Sequence, residues 1–281
     1  MSIKHPPGPA DPEGMTAAAD ASQRTAPGDA LGYGPAAMLE VGHLTKRFDG
    51  RLAVNALSFE VKGGEILGLV GPNGAGKTTT LRCITGILQP DAGSIRVAGL
   101  DTVARPVEAK RRLALVPDEP HLFARLSVWE HLELSARLYG VADWEPVARD
   151  LLERLELADR RATLAEALSR GMRQKVAVAS ALVHAPSLLM LDEPLVGLDP
   201  RGIRTLFAAL RRHAADGNAV LMSSHLLGQI ESHCTRFLIL RDGAKLFHGS
   251  KTEIAAELPT LRGDATLEEI FFSATEESGT A

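Results

Sequence analysis

Within the ten residues GPNGAGKTTT, Gly71 to Thr80, three glycines and a single lysine are followed by three threonines. These residue types suit an anion with several oxygens. Glycine reaches positive φ without steric penalty and carries no side chain to block a bulky ligand. The amides of such a loop turn inward as a concave anion nest. A helix beginning there adds its positive end, an effect of ~0.3–1 kcal/mol per charge at exposed sites. Gly71, Pro72, Asn73, Gly74, Ala75, Gly76, Lys77, Thr78 and Thr79 therefore read as a nucleotide-phosphate cradle, with Lys77 placed for the β- and γ-phosphates and the Thr78 hydroxyl for Mg²⁺. The plainer alternative is a flexible turn with a surface lysine. Placement between an apolar run, ILGLV, and a helical pattern argues against it.

A second group lies in LLMLDEP. A carboxylate at the end of a buried strand, Asp192, suits Mg²⁺, which prefers oxygen ligands and keeps several waters. Glu193 follows at once. At a strand end it can turn toward the γ-phosphate and polarise an attacking water.

The elements that must hold these groups alternate in type. LEVGHLTKRF and LAVNALSFEV alternate apolar and polar residues around the turns DGR and KGG, as antiparallel strands do. EILGLVG, SLLML and AVLMSS are continuous apolar runs, expected of strands covered on both faces. Leu81, Ile84 and Leu88 give TTTLRCITGIL a helical spacing, and SIRVAGLD reads as a short strand. SVWE, Ser127 to Glu130, is a capping box opening a helical stretch of about residues 120–170. There Val147, Leu151, Leu152 and Leu155 mark an apolar stripe, read as core and not as a partner groove. RTLFAALRRHAADG is a helix ending at Gly217, and RFLILRDGAKLFHG is a hairpin turning at DG. Alternating strands and helices imply an α/β protein with a mainly parallel sheet. Residues 1–37 are small, Pro- and Gly-rich, and read as a disordered tail; residues 251–281 read as a short amphipathic helix and a frayed end.

Composition removes several classes. With Lys+Arg 31 against Asp+Glu 35 and net charge −4, no polyanion-binding surface is advertised. Cys83 and Cys234, the only cysteines, offer neither a disulfide framework nor zinc spacing, and read as small buried apolar residues in a reducing compartment. No apolar run approaches the ~20 residues of a membrane-spanning helix, and MSIKHPPGPADPEG lacks the apolar core of a secretory signal.

The order of these motifs resembles the ATP-binding subunit of ABC transporters over residues 38–250. GPNGAGKTT matches the family's Walker A loop and LLMLDEP its Walker B strand with Glu193 as catalytic carboxylate. LSRGMRQK, Leu168 to Lys175, matches the signature segment. GLDP matches the D-loop, with Asp199 at the position that crosses to the other subunit, and SSH places His225 at the switch histidine. Phe48 in TKRFDG matches the aromatic that stacks on adenine; core packing is its plainer reading, as a structural strand-end residue is that of His225. The resemblance implies a P-loop NTPase core with an N-terminal antiparallel β subdomain and an α-helical subdomain. It also implies ATP and Mg²⁺ as ligands, and Lys77, Glu193 and His225 as catalytic groups. Because P-loop and signature lie apart within one subunit of that family, it implies a homodimer or heterodimer in which Ser169 and Gly171 of one copy cap the ATP on Lys77 of the other. Two motifs depart from the usual pattern. Arg170 and Met172 stand where the signature LSGGQ has glycine and glutamine, and Asp118 in ALVPDEPHLF stands at the Q-loop glutamine, where it could ligate Mg²⁺ but not donate a hydrogen bond when ionised.

The implied setting is the cytoplasmic face of a membrane, bound to an integral permease through about residues 115–170. LSRGM and the tail TLEEIFF resemble the ABC-2 exporter group. A soluble ABC ATPase working on nucleic acid or ribosomes is the alternative, but the usual second cassette, long coiled coil or zinc insertion is missing, and no nucleic-acid partner is expected. A small-molecule kinase or GTPase would share only the P-loop.

Overall fold

The computed structural model describes residues 37–257 and 265–277. The segment read as a tail, residues 1–37, lies outside them apart from Ala37, which opens the first strand, and so do residues 278–281 of the expected frayed end. In chain order the elements are β1 (Ala37–Phe48), β2 (Arg51–Lys62), β3 (Ile66–Val70), α1 (Lys77–Ile84), β4 (Ala92–Val97), β5 (Leu100–Asp101), α2 (Pro106–Lys110), β6 (Leu113–Val116), α3 (Val128–Tyr139) and α4 (Trp144–Arg154). There follow α5 (Arg170–Leu182), β7 (Leu188–Leu191), α6 (Pro200–Ala215), β8 (Ala219–Ser224), α7 (Leu227–Ile230), β9 (Arg236–Arg241), β10 (Ala244–Gly249), α8 (Lys251–Ala256) and α9 (Leu267–Glu277).

Two sheets form. One is antiparallel, in the order β2-β1-β4-β5; the other runs β10-β9-β3-β8-β7-β6, parallel except for its edge strand β10. Two-residue turns close both hairpins that the DG pairs foretold. Asp49 and Gly50 have φ of 48° and 81°, Asp242 and Gly243 of 50° and 79°, the positive values that match a hairpin's twist.

The continuous apolar runs are explained by two cores, one on each face of the parallel sheet. Ile66 and Val70 of β3 face the helical side with Leu189 and Leu191, Val220 and Met222, Phe237 and Ile239. Leu67 and Leu69 face the antiparallel sheet with Leu188 and Met190, Ala219 and Leu221, Leu238 and Leu240. Successive strand residues point to opposite faces, so a strand buried twice must be apolar throughout. Each such side chain stabilises the fold by about 1.5–3 kcal/mol on burial. Burial also pushes the Cys83 and Cys234 thiols up, to about 11 and about 12, which fits their reading as small apolar residues.

The helical region is built on α3, α4 and α5, whose Leu132, Leu152 and Val176 are buried in the first of these cores. Its entry is the expected capping box: Ser127 Oγ accepts from the Glu130 amide at 3.3 Å, and Glu130 Oε2 accepts from the Ser127 amide at 2.7 Å. Three readings shift in detail. Helix α1 ends at Ile84, because Gly86 turns left-handed at φ 70°, and Leu88 packs on the core from outside the helix. Val147 is 41% exposed, since Ala148, Leu151 and Leu152 already fill the buried face of α4. Helix α9 runs on to Glu277, past the expected end of the apolar stretch.

Candidate active site

The chemistry-bearing residues lie where parallel strands end. The glycine loop follows β3, Asp118 follows β6, Asp192 and Glu193 follow β7, and His225 follows β8. In open α/β sheets, ligands bind in the crevice outside these carboxyl ends.

The loop is shaped by its glycines. A Cβ on Gly71 would lie 2.5 Å from the Leu240 carbonyl oxygen. Gly76, at φ 99°, would meet the Ala53 carbonyl at the same distance. Gly76 is the N-cap of α1 and supplies no side-chain cap, so the first amides of the helix are left to another acceptor. The α1 ladder starts only with Thr80 N–H on the Gly76 carbonyl at 2.9 Å.

Lys77 is buried, and its Nζ donates to the Gly71 carbonyl at 2.8 Å and lies 3.7 Å from Glu193 Oε1. The other oxygen of Glu193, Oε2, accepts from His225 at Nδ1, 2.8 Å, and from the His225 backbone amide, 3.2 Å. One carboxylate is thus fixed between a buried ammonium and an imidazole. Its backbone is left-handed, φ 47°, a strained state for a non-glycine residue that the surroundings must hold.

What holds it is a residue the motifs did not single out. Ser223 is fully buried in β8; its hydroxyl accepts from the Glu193 amide at 3.0 Å and donates to Asp192 Oδ1 at 2.6 Å. An unmatched hydroxyl there would cost about 1–3 kcal/mol. The available signal was polarity inside an otherwise apolar strand, AVLMSS, next to His225.

Asn73, Gly74, Ala75, Gly76, Lys77, Thr78, Thr79, Asp118 and Glu193 line one cleft of about 310 Å³. It shares Ala53, Gly74 and Thr79 with a second of about 350 Å³, lined also by Phe48, Arg51, Leu52 and Asp242. Phe48 is therefore not core: it is 44% exposed at the far wall of a continuous groove that starts at the glycine loop. Pro72, exposed, belongs to the loop, and its carbonyl accepts from Lys77 Nζ at 3.3 Å. Partial burial holds the Asp118 carboxyl above its usual range; Arg170 opposes that, while Asp192, Glu193 and Glu119 add to it.

Thr78 and Asp118 line the cleft and offer a hydroxyl and a carboxylate, while Asp192, buried and bonded to Ser223, is not among its lining residues; all three are the hard oxygen donors that Mg²⁺ favours. Among the described residues no three His, Cys, Asp or Glu side chains form a metal cage. These donors therefore fit an ion that draws its remaining ligands from phosphate and water, not a cation held by protein alone.

Ser169, Gly171 and Asp199 do not line the cleft. Ser169 caps α5, accepting from the Met172 amide at 3.2 Å, and Asp199 caps α6, accepting from the Gly202 amide at 2.7 Å. The two helix starts adjoin: a Cβ on Gly171 would lie 3.1 Å from the Gly197 carbonyl oxygen. Both caps are exposed.

Comparison with known proteins points one way. A family model described as "ABC transporter" matches residues 54–196. A Nod factor export ATP-binding protein I of Burkholderia thailandensis is 38% identical over 225 residues, 79% of this chain and 74% of that protein. The linearmycin resistance ATP-binding protein LnrL of Bacillus subtilis is 33% identical over 223 residues, 79% of this chain and 72% of its own length. A solved structure of an ATP-binding subunit of an ABC transporter superposes with a TM-score of 0.80 at 32% identity, covering 85% of this chain and 99% of that one. CbiO1 of Clostridium perfringens, described as part of the transporter complex cbiONQ, superposes at 0.70 with 26% identity, covering 79% of this chain and 91% of its own.

Proposed function

The chain belongs to the ABC transporter ATP-binding family, whose members bind and hydrolyse ATP, and from that premise we propose the following working cycle. ATP lies along the groove, with adenine against Phe48 and the phosphates in the loop from Gly71 to Thr79. Lys77 meets the β- and γ-phosphates. Thr78, Asp192 and Asp118 are the residues assigned to Mg²⁺, which when bound offsets phosphate charge. Glu193 accepts a proton from water as the water oxygen bonds to the γ-phosphorus; the bond to the β–γ bridging oxygen breaks, and ADP leaves with that electron pair. His225 orients Glu193, and Ser223 fixes the strained turn that aims it.

The observation that carries this reading is the held carboxylate: Glu193 stands 2.8 Å from His225 and 3.7 Å from Lys77 at the wall of the phosphate cleft. A carboxylate so placed accepts a proton without first having to be oriented.

A single chain closes only one side of the nucleotide. Ser169, exposed, and Gly171, half-buried, do not line their own cleft, so we assign them to the ATP of a second copy or of a related subunit, with Asp199 at the joint. The γ-phosphate then holds two chains together, and its loss releases them, because a ligand shifts an equilibrium only by its differential contacts. We further assign a membrane permease as the partner driven by that motion, on the cytoplasmic face, with outward transport. Among the described residues no helix is long and apolar enough to cross a membrane. Support for docking comes from Phe123, 62% exposed between β6 and α3 in the region expected to meet the partner. Support for direction comes from relatives named for export and resistance. No observation favours a nucleic-acid partner.

Glu193→Gln tests the cycle. It should bind ATP, fail to hydrolyse it and accumulate as an ATP-bound dimer in sedimentation. Hydrolysis at the parent rate would remove Glu193 from the reaction.

A further inference from the structure

Two of the three residues at which this sequence departs from its family's usual pattern, Arg170 and Asp118, meet in space. Arg170, the first residue of α5, reaches Asp118 across 52 positions of chain: Nη2 stands 3.5 Å from Oδ1. On the way its stem lies over Gly197, where a Cβ would come within 2.9 Å of Arg170 Cδ. One side chain therefore touches the loop before α6 and the segment after β6, while rooted at the start of the signature helix.

The chemistry at each end differs. Asp118 lines the phosphate cleft together with Lys77, Thr78 and Glu193. Arg170 is adjacent to Ser169, whose exposed hydroxyl caps α5. Asp118 also lies close enough to Asp192 and Glu193 to feel both charges, and Arg170 is the cation that offsets them. The contact is long and both side chains are about half exposed, 47% and 49%. Water weakens such a pair, so a change of charge beside Asp118 is enough to tip it. A nucleotide and its cation change the charge beside Asp118 directly, and the grip on Arg170 changes with it.

We propose that Arg170 and Asp118 act as a matched pair that reports the occupancy of one chain's phosphate cleft to its own signature segment, and so to the nucleotide capped by Ser169 on the neighbouring copy. Arg170 is a positioning residue in this scheme. The proposal rests on the shared-site reading above and adds to it a link between the two ATP sites.

The test is a double-mutant cycle in full-length protein carrying Glu193→Gln, read as the ATP concentration for half-maximal dimer formation by sedimentation. Asp118→Asn and Arg170→Gln should each raise it about fivefold, the lower end for coupled sites. The double variant should be no worse than the worse single one. The charge-keeping variant Arg170→Lys, which leaves Asp118 in place, should recover at least half of the Arg170→Gln loss on a logarithmic scale. Single effects that simply multiply in the double variant, with no recovery in Arg170→Lys, would overturn the pair while leaving the shared site standing. Failure of the Glu193→Gln parent to dimerise at all would instead overturn the shared site.

Discussion

Helices α1 and α5 both begin at residues assigned to a nucleotide phosphate, α1 to the chain's own and α5 to a neighbour's, yet they begin in opposite ways. At α1 the cap is a glycine at φ 99° with no side chain to offer, and the following lysine is buried. At α5 the cap is Ser169, whose oxygen already takes the Met172 amide, and the following residue is an exposed arginine. The first start leaves its amides for a ligand, at the expense of helix stability that a capping side chain would add. The second satisfies itself within the chain, and its accepting oxygen leaves the hydroxyl hydrogen to donate outward. A start built to hold an anion alone must stay open. A start assigned, as proposed above, to a neighbour's site must be stable before the neighbour arrives.

The largest expected break in this comparison falls on the α1 side. Glu193→Gln removes the proton acceptor and should lower hydrolysis by ~10²–10⁴-fold with ATP affinity kept, as measured by single-turnover kinetics and nucleotide titration. Equal losses in binding and turnover would mean that Glu193 holds the loop instead of serving the reaction. Lys77→Ala follows. It removes a charge-assisted contact of ~1.5–3 kcal/mol, which corresponds to ~10–100-fold weaker ATP binding. Titration calorimetry showing parent affinity would return the loop to a flexible turn.

The next prediction moves to α5. Ser169→Arg places a long side chain at a close joint, and overpacking of that kind costs ~1–3 kcal/mol, about tenfold in dimer affinity. ATP binding to the separate chain should be untouched, because Ser169 does not line its own cleft. Normal ATP-driven dimerisation in this variant would leave α5 with only its local capping role.

The two starts also differ in how far the sequence disclosed them. The α1 loop was legible because every constraint on it is local: glycines for the backbone, lysine and threonine for charge and metal, all within nine positions. The sheet was legible for a related reason, since double burial forces runs such as ILGLV and LLML to be apolar throughout. Ser223 escaped notice because its role depends on two partners brought together by parallel pairing of β7 with β8, including the register of Leu191 against Met222 just before them. The Arg170–Asp118 contact was out of reach for the same reason. Both residues stood out as departures, but their separation is set by how α5 packs beside β6. Phe48 fell between these cases: its type and place were readable, while its exposure on a groove wall was not.

The smallest expected effect comes from a third helix start, α3, which has the full capping box and no assigned ligand. Ser127 accepts from Glu130, Glu130 returns the bond, and the carboxylate is held below its ordinary range chiefly by the Ser127 amide. Two of the helix's orphan groups are thereby satisfied reciprocally. Ser127→Ala should lower stability by about 0.5–2 kcal/mol, visible as a modest fall in the denaturant midpoint, and leave ATP affinity and dimerisation as they were. The three starts then form a series: open and ligand-holding at α1, capped and outward-facing at α5, closed and structural at α3. If Ser127→Ala shifted ATP-driven dimerisation as strongly as Ser169→Arg, the series would collapse. Cap loss anywhere in the helical region would then suffice to loosen the joint, and the outward hydroxyl at Ser169 would need no special role.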